Sequence, residues 1–227
     1  MTVSETLFQQ YCTKGNISCR RLTPDDRKTP DFELTLGGEK IIAEVKELRP
    51  NDGEKIANDE FNEKGFAVWG DKKVGTRVRY KIDESKHQLK RFAEAKYPAI
   101  LVLYDARPSN VRGIYAYEIL VAMYGFESID LRVPEDSSEP VRMGKHRFGK
   151  GKKVGPDRHS FFSALAVLRE VDDSKHLHLD VYDNVFSAYK IPYEYMAAHN
   201  EMTVFTIPPG QGNEFRRWVE LESNPSA

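Results

Sequence analysis

Residues 30–46 read PDFELTLGGEKIIAEVK. Two stretches of alternating character, Asp31 to Leu36 and Lys40 to Glu47, flank the pair Gly37-Gly38. Glycines between two period-two runs are a hairpin signal, because a two-residue turn needs backbone that tolerates positive φ. Such a turn sets Leu36 opposite Glu39, Leu34 opposite Ile41, Phe32 opposite Ala43 and Asp31 opposite Glu44. One face of the ribbon then carries Phe32, Leu34, Leu36, Ile41, Ala43 and Val45. The other carries Asp31, Glu33, Thr35, Lys40, Ile42, Glu44 and Lys46. Register and polarity agree, as a well-specified hairpin requires.

The same register creates an electrostatic problem. Directly opposed residues have Cβ atoms about 4.5–5.5 Å apart, so the carboxylates of Asp31 and Glu44 repel. A partly buried pair of this kind either raises one pKa or recruits a cation. Mg²⁺, with Mn²⁺ as a substitute, takes oxygen ligands from one or two carboxylates plus water and substrate phosphate. Lys46 projects from the same face as Glu44. Two carboxylates and an ammonium at one point are the parts needed for metal-assisted phosphodiester hydrolysis, the lysine orienting or deprotonating the attacking water. The plain alternative is an amphipathic hairpin with a wet charged face.

Outward from the hairpin, Val3 to Lys14 reads as a helix with Val3, Leu7, Phe8 and Tyr11 on its apolar side. Ile17 to Leu22 reads as a strand and Pro24 to Pro30 as a loop. Arg49 to Lys73 is polar and irregular, in part helical. Gly75 to Tyr97 has helical spacing, and Pro98 to Tyr104 is an apolar run suited to a buried strand. Beyond Asp105, Ile114 to Tyr124 fits helix or strand. Ser160 to Arg169, His176 to Tyr182 and Met202 to Ile207 read as strands, and Asn213 to Leu221 as a closing helix. The fold class expected is α/β, a mixed sheet with helices on its faces, in one domain over residues 1–227.

Lys28-Thr29-Pro30-Asp31-Phe32, followed by Glu44-Val45-Lys46-Glu47, resembles the signature of the PD-(D/E)xK phosphodiesterase superfamily. Asp31 matches its first acid, Glu44 its second and Lys46 its lysine. The order helix, strand, strand, strand, helix, strand over residues 3–104 resembles its restriction-endonuclease-like core, with residues 105–227 as an extension of strands and a helix. The resemblance implies a Mg²⁺-dependent nuclease, with an endonuclease on double-stranded DNA in restriction, repair or genome defence as the expectation, and with a homodimer. A catalytically silent nucleic-acid-binding or protein-interaction module on the same fold is the alternative. The resemblance also points to a first-helix glutamate, here Glu5, and a glutamine on the next helix, here Gln88. Glu5 has a rival role, since Thr2-Val3-Ser4-Glu5 fits a capping box. Gln88 lies on a stripe with Arg77, Lys81 and Glu84, which a solvated helix face would also explain.

Composition sets the outer bounds. The chain has 227 residues, 40% hydrophobic and 30% charged. No apolar run reaches membrane-span length, and MTVSETLFQQ lacks the pattern of a signal peptide. Cys12 and Cys19 fit neither a zinc site nor a disulfide framework, which suits a cytoplasmic protein. A net charge of −1 argues against indiscriminate coating of nucleic acid. Between Lys145 and Arg158, however, Lys145, Arg147, Lys150, Lys152, Lys153 and Arg158 face the single acid Asp157, among glycines. A flexible basic loop of this kind suits phosphate contact. Arg77, Lys81, Lys150, Lys152 and Lys153 are the candidate nucleic-acid-binding residues. His176 and His178 share a strand face without a third zinc ligand at suggestive spacing. Gly149-Lys150-Gly151-Lys152 lacks the context of a nucleotide-binding loop.

Overall fold

The computed structural model describes residues 1–23, 29–68, 73–108, 110, 112–136, 138–171, 176–197, 201–208 and 217–221. Helix α1 spans Val3–Lys14 and is capped by Thr2, whose side chain accepts from the Glu5 N–H. Phe8, Tyr11 and Cys12 are buried along it, whereas Val3 is exposed at the helix start, outside the apolar stripe expected of it. Strands β1 (Ser18–Arg21), β2 (Phe32–Leu36) and β3 (Glu39–Leu48) then form an antiparallel meander. The pairing of Phe32 with Ala43, Leu34 with Ile41 and Leu36 with Glu39 is the one the glycine turn dictates. Gly37 and Gly38 both have positive φ, at 56° and 80°, the backbone a two-residue hairpin turn demands.

Helices α2 (Asp52–Lys64) and α3 (Thr76–Glu94) carry the chain across to β4 (Ala99–Asp105), which runs parallel to β3. The polar stretch after Arg49 thus holds a complete helix. Asn51 and Glu54 form its capping box, and Gly65 ends it in the left-handed conformation. All seven residues of β4 are buried, as a central strand covered on both faces should be. Next comes α4 (Ala116–Tyr124), apolar on nearly every side because it is packed within the molecule.

Strands β5 (Phe126–Arg132) and β6 (Arg142–Lys150) pair with each other as a separate two-stranded sheet. The loop expected from Lys145 is therefore strand as far as Lys150. Gly149 serves a close backbone approach: a Cβ on Gly125 would strike the backbone of Gly149. Strand β7 (Ala164–Glu170) lies parallel to β4, and β8 (Leu177–Asp183) returns antiparallel to β7. After α5 (Tyr193–Ala197), β9 (Met202–Thr206) runs parallel to β8, and β10 (Val219–Glu220) closes the edge. The closing helix expected over Asn213 to Leu221 is not what its described part shows. Residues 217–221 hold the edge strand β10, tied to β9 by the Leu221 N–H on the Val204 carbonyl, and residues 213–216 lie outside the described residues. The middle of the loop expected over Pro24 to Pro30, residues 24–28, does so too.

The main sheet has eight strands in the order β1-β2-β3-β4-β7-β8-β9-β10, a mixed α/β architecture. Two apolar cores lie on its faces. Under α1, Phe8 and Tyr11 pack with Phe32, Leu34, Ile41, Ala43, Val45 and Val102. Under α3 and α4, Val78, Ile82 and Leu89 pack with Ile42, Leu101, Leu103 and Met123. Ile42, which the hairpin pattern assigned to the charged face, belongs with Leu48 to the core under α3. No described helix is long and apolar enough to cross a membrane.

Candidate active site

Where β2 begins, Asp31 stands one step beyond the last paired residues Phe32 and Ala43. Its Oδ2 accepts a hydrogen bond from the Val45 N–H at 2.8 Å. Glu44, just across, is only 2% exposed. Its Oε1 lies 2.6 Å from the Lys46 Nζ, and its Oε2 is buried without a hydrogen-bond partner. Strand alternation sends Glu44 and Lys46 to the face covered by α3, away from Phe32 and Val45. Asp31, Glu44 and Lys46 line one open cleft of about 650 Å³.

Burial and the nearby Asp31 charge push the Glu44 carboxyl up to about 7, against the opposing pull of Lys46. An ion pair at 2.6 Å and a raised pKa look contradictory. Burial wins here because one oxygen has no donor and a second carboxylate stands opposite, so one ammonium does not compensate. Asp31 is also raised, chiefly by burial and against the Val45 hydrogen bond, with the Glu5 charge adding to the rise. The pair is thus short of positive charge. Hard oxygen donors with no thiol or imidazole beside them fit Mg²⁺ or Mn²⁺. Among the described residues no group of three or more His, Cys, Asp or Glu could hold a metal.

The accessory candidates reach the same cleft. Glu5 lines it, but its Oε2 is bound by Arg21 at 3.0 Å. Its carboxylate therefore does not close the capping box; Thr2 supplies the cap alone. From α3, Arg77, Lys81, Glu84 and Gln88 recur at one-turn spacing and all line the cleft. Gln88 Oε1 is a further buried atom without a partner. Lys81 Nζ pairs with Glu84 at 2.9 Å.

Arg77 is less free than a phosphate contact requires. It bonds Glu54 at 2.7 Å and the Arg49 carbonyl at 2.5 Å. Glu54 also receives Arg107 at 3.0 Å, and Arg107 grips Asp105 at 2.7 Å. This buried network ties α2 and α3 to the end of β4, so Arg77 is first a fixture of the cleft wall. The pattern of residues gives no sign of it, since Glu54 and Arg107 meet only through the fold. Tyr80 and Arg49 are two more cleft residues that sequence did not single out. Tyr80 is 66% exposed, one position outside the recognised stripe.

The basic segment goes elsewhere. Lys150 and Lys152 are exposed and are not among the residues that line the cleft of Asp31, Glu44 and Lys46. Lys153 is paired with Asp83, on the opposite flank of α3, so it is a structural tie there and not a free phosphate ligand. His176 pairs with Glu201, and His178 bonds Thr203 at 3.0 Å, so both have partners that do not require zinc.

No protein-family model matches the chain, and no curated protein matches it. A solved structure of SfsA from Pyrococcus furiosus in complex with Ca²⁺ aligns with 96% of the chain at 14% identity and a TM-score of 0.23. The chain covers 61% of that protein. A likeness of this degree neither defines the fold nor assigns an activity.

Proposed function

We propose that this chain is a divalent-metal-dependent nuclease of the PD-(D/E)xK type, cleaving phosphodiester bonds of DNA. The observation that carries the reading is the buried Glu44 carboxylate, one oxygen unpartnered, facing Asp31 beside Lys46 in an open cleft. A fold that needed only stability would not retain two opposed acids there. Asp31 and Glu44 are the residues that would hold the cation. When bound, Mg²⁺ supplies Lewis acidity toward the phosphate and the attacking water.

The chain's own groups do the rest. With the carboxylates neutralised by a cation, Lys46 no longer has to offset Glu44, and its ammonium can orient the attacking water or balance charge building on the phosphate. Gln88, which lines the cleft and whose buried carbonyl oxygen has no partner, is the residue that would accept a hydrogen bond from that water. Lys81, paired with Glu84 on the cleft wall, would meet a phosphate only by exchanging that partner. The test is incubation of the purified chain with linear and circular duplex DNA, single-stranded DNA and RNA, with and without Mg²⁺ or Mn²⁺. Metal-dependent cleavage of DNA supports the reading. Binding without cleavage under every condition points instead to a silent module on this fold.

A further inference from the structure

The β5–β6 ribbon stands outside the main sheet. Its base is fixed by the Gly125–Gly149 approach and by the Arg79 guanidinium 5.5 Å from the Phe126 ring. The Val154 N–H adds a hydrogen bond to the Met123 carbonyl at 2.8 Å. Farther out, the register pairs Leu131 with Met143 and Arg132 with Arg142. Carried one residue on, it sets Val133 opposite Val141. Alternation places Leu131, Val133, Val141 and Met143 on one face. They are exposed by 61%, 73%, 54% and 65% respectively. Four large apolar side chains bared together on a ribbon mark an interaction surface, and a two-stranded ribbon is barely stable in water by itself.

Charge along the ribbon says what covers that face. The tip, residues 133–141, holds Glu135, Asp136 and Glu139 and no Lys or Arg. Residues 142–153 hold six Lys or Arg and no acid. Nucleic acid seated on the apolar face would meet the acidic tip. A second copy of the ribbon meets no such conflict. Related by a twofold axis through the apolar face, each acidic tip would run beside the other's basic strand, the self-complementarity that an isologous contact needs.

We propose that the outer half of the β5–β6 ribbon is a self-association surface whose occupant is the same ribbon of a second copy of this chain. The inference goes beyond the nuclease reading and does not depend on it. Sedimentation velocity of the full chain across the micromolar range should show a concentration-dependent shift from the 26.0 kDa species toward twice that mass. The variant L131D/M143D should remain monomeric, with an unchanged far-ultraviolet spectrum and thermal midpoint. E135K/D136K/E139K and K145E/R147E should each weaken self-association by about tenfold or more, and mixing the two should restore a heterodimer. A wild-type chain that stays monomeric throughout, or a dimer that survives L131D/M143D, overturns the proposal. If L131D/M143D instead weakens duplex binding by a monomeric chain, the surface belongs to nucleic acid.

Discussion

Asp31 Oδ2 accepts the Val45 N–H at 2.8 Å, which fastens the first acid of the cleft to the residue between Glu44 and Lys46. The hairpin register alone would bring the two acids near each other. This hydrogen bond fixes the Asp31 side chain as well, so the carboxylate pair is held in place before any ligand arrives. Preorganisation of that kind suits a charge-binding site, and it leaves a repulsion in the folded protein that Lys46 offsets only in part.

Removing one charge from the pair should separate catalysis from folding. Asp31→Asn and Glu44→Gln retain side-chain size while weakening cation binding, so cleavage should fall by orders of magnitude. Stability at pH 8 should be unchanged or higher, because the opposed charges are gone. Cleavage rates beside chemical denaturation curves check both halves.

Glu44 should also leave a mark on stability against pH. Its folded-state pKa is raised from 4.5 to about 7, so the folded chain holds that proton more tightly than the unfolded chain does. Metal-free stability should therefore decline as pH rises from about 4.5 to about 7 and level off above, by a few kcal/mol. Glu44→Gln should lack this component of the slope. Adding Mg²⁺ at pH 8 should raise the thermal midpoint of the wild type more than that of Glu44→Gln. Identical pH profiles in the two proteins would show that Glu44 is not a buried, titrating acid.

Lys46→Ala should divide binding from chemistry. In the proposed mechanism the lysine would act on the water and on the transition state, so cleavage should be lost while affinity for uncleaved DNA changes little. Rates under single-turnover conditions and fluorescence anisotropy without metal make the comparison.

How much of this was legible from sequence depends on the range of the interaction. Gly37-Gly38 and the alternation around it fixed the hairpin, its register and the gathering of Asp31, Glu44 and Lys46, all local effects. The burial of Glu44 was not legible, because it depends on α3 packing over Ile42. Strand β6 was hidden by its glycines and lysines, which show no apolar alternation, and its partner β5 is what makes it a strand. The Glu54–Arg107–Asp105 network was invisible for the same reason: Glu54 is distant in the chain from Asp105 and Arg107 and meets them through the crossover from β3 to β4.

The basic segment keeps only a reduced expectation. Lys153 is committed to Asp83, so of the three lysines expected to meet phosphate there Lys150 and Lys152 are left. K150Q/K152Q should reduce the salt dependence of duplex binding by about 0.9 log units for each phosphate no longer neutralised. Cleavage should recover at low salt and high enzyme, since neither lysine lines the catalytic cleft. An unaltered salt slope would leave Lys81 and the cleft rim as the phosphate-binding surface.

The most direct measurement is single-turnover cleavage of an end-labelled DNA duplex by wild type and Asp31→Asn, purified side by side, in Mg²⁺ and in excess chelator. The account predicts cleavage by the wild type in Mg²⁺, none in chelator, and a loss of orders of magnitude in Asp31→Asn. Cleavage by Asp31→Asn at the wild-type rate, or cleavage by the wild type that persists in chelator, would contradict it.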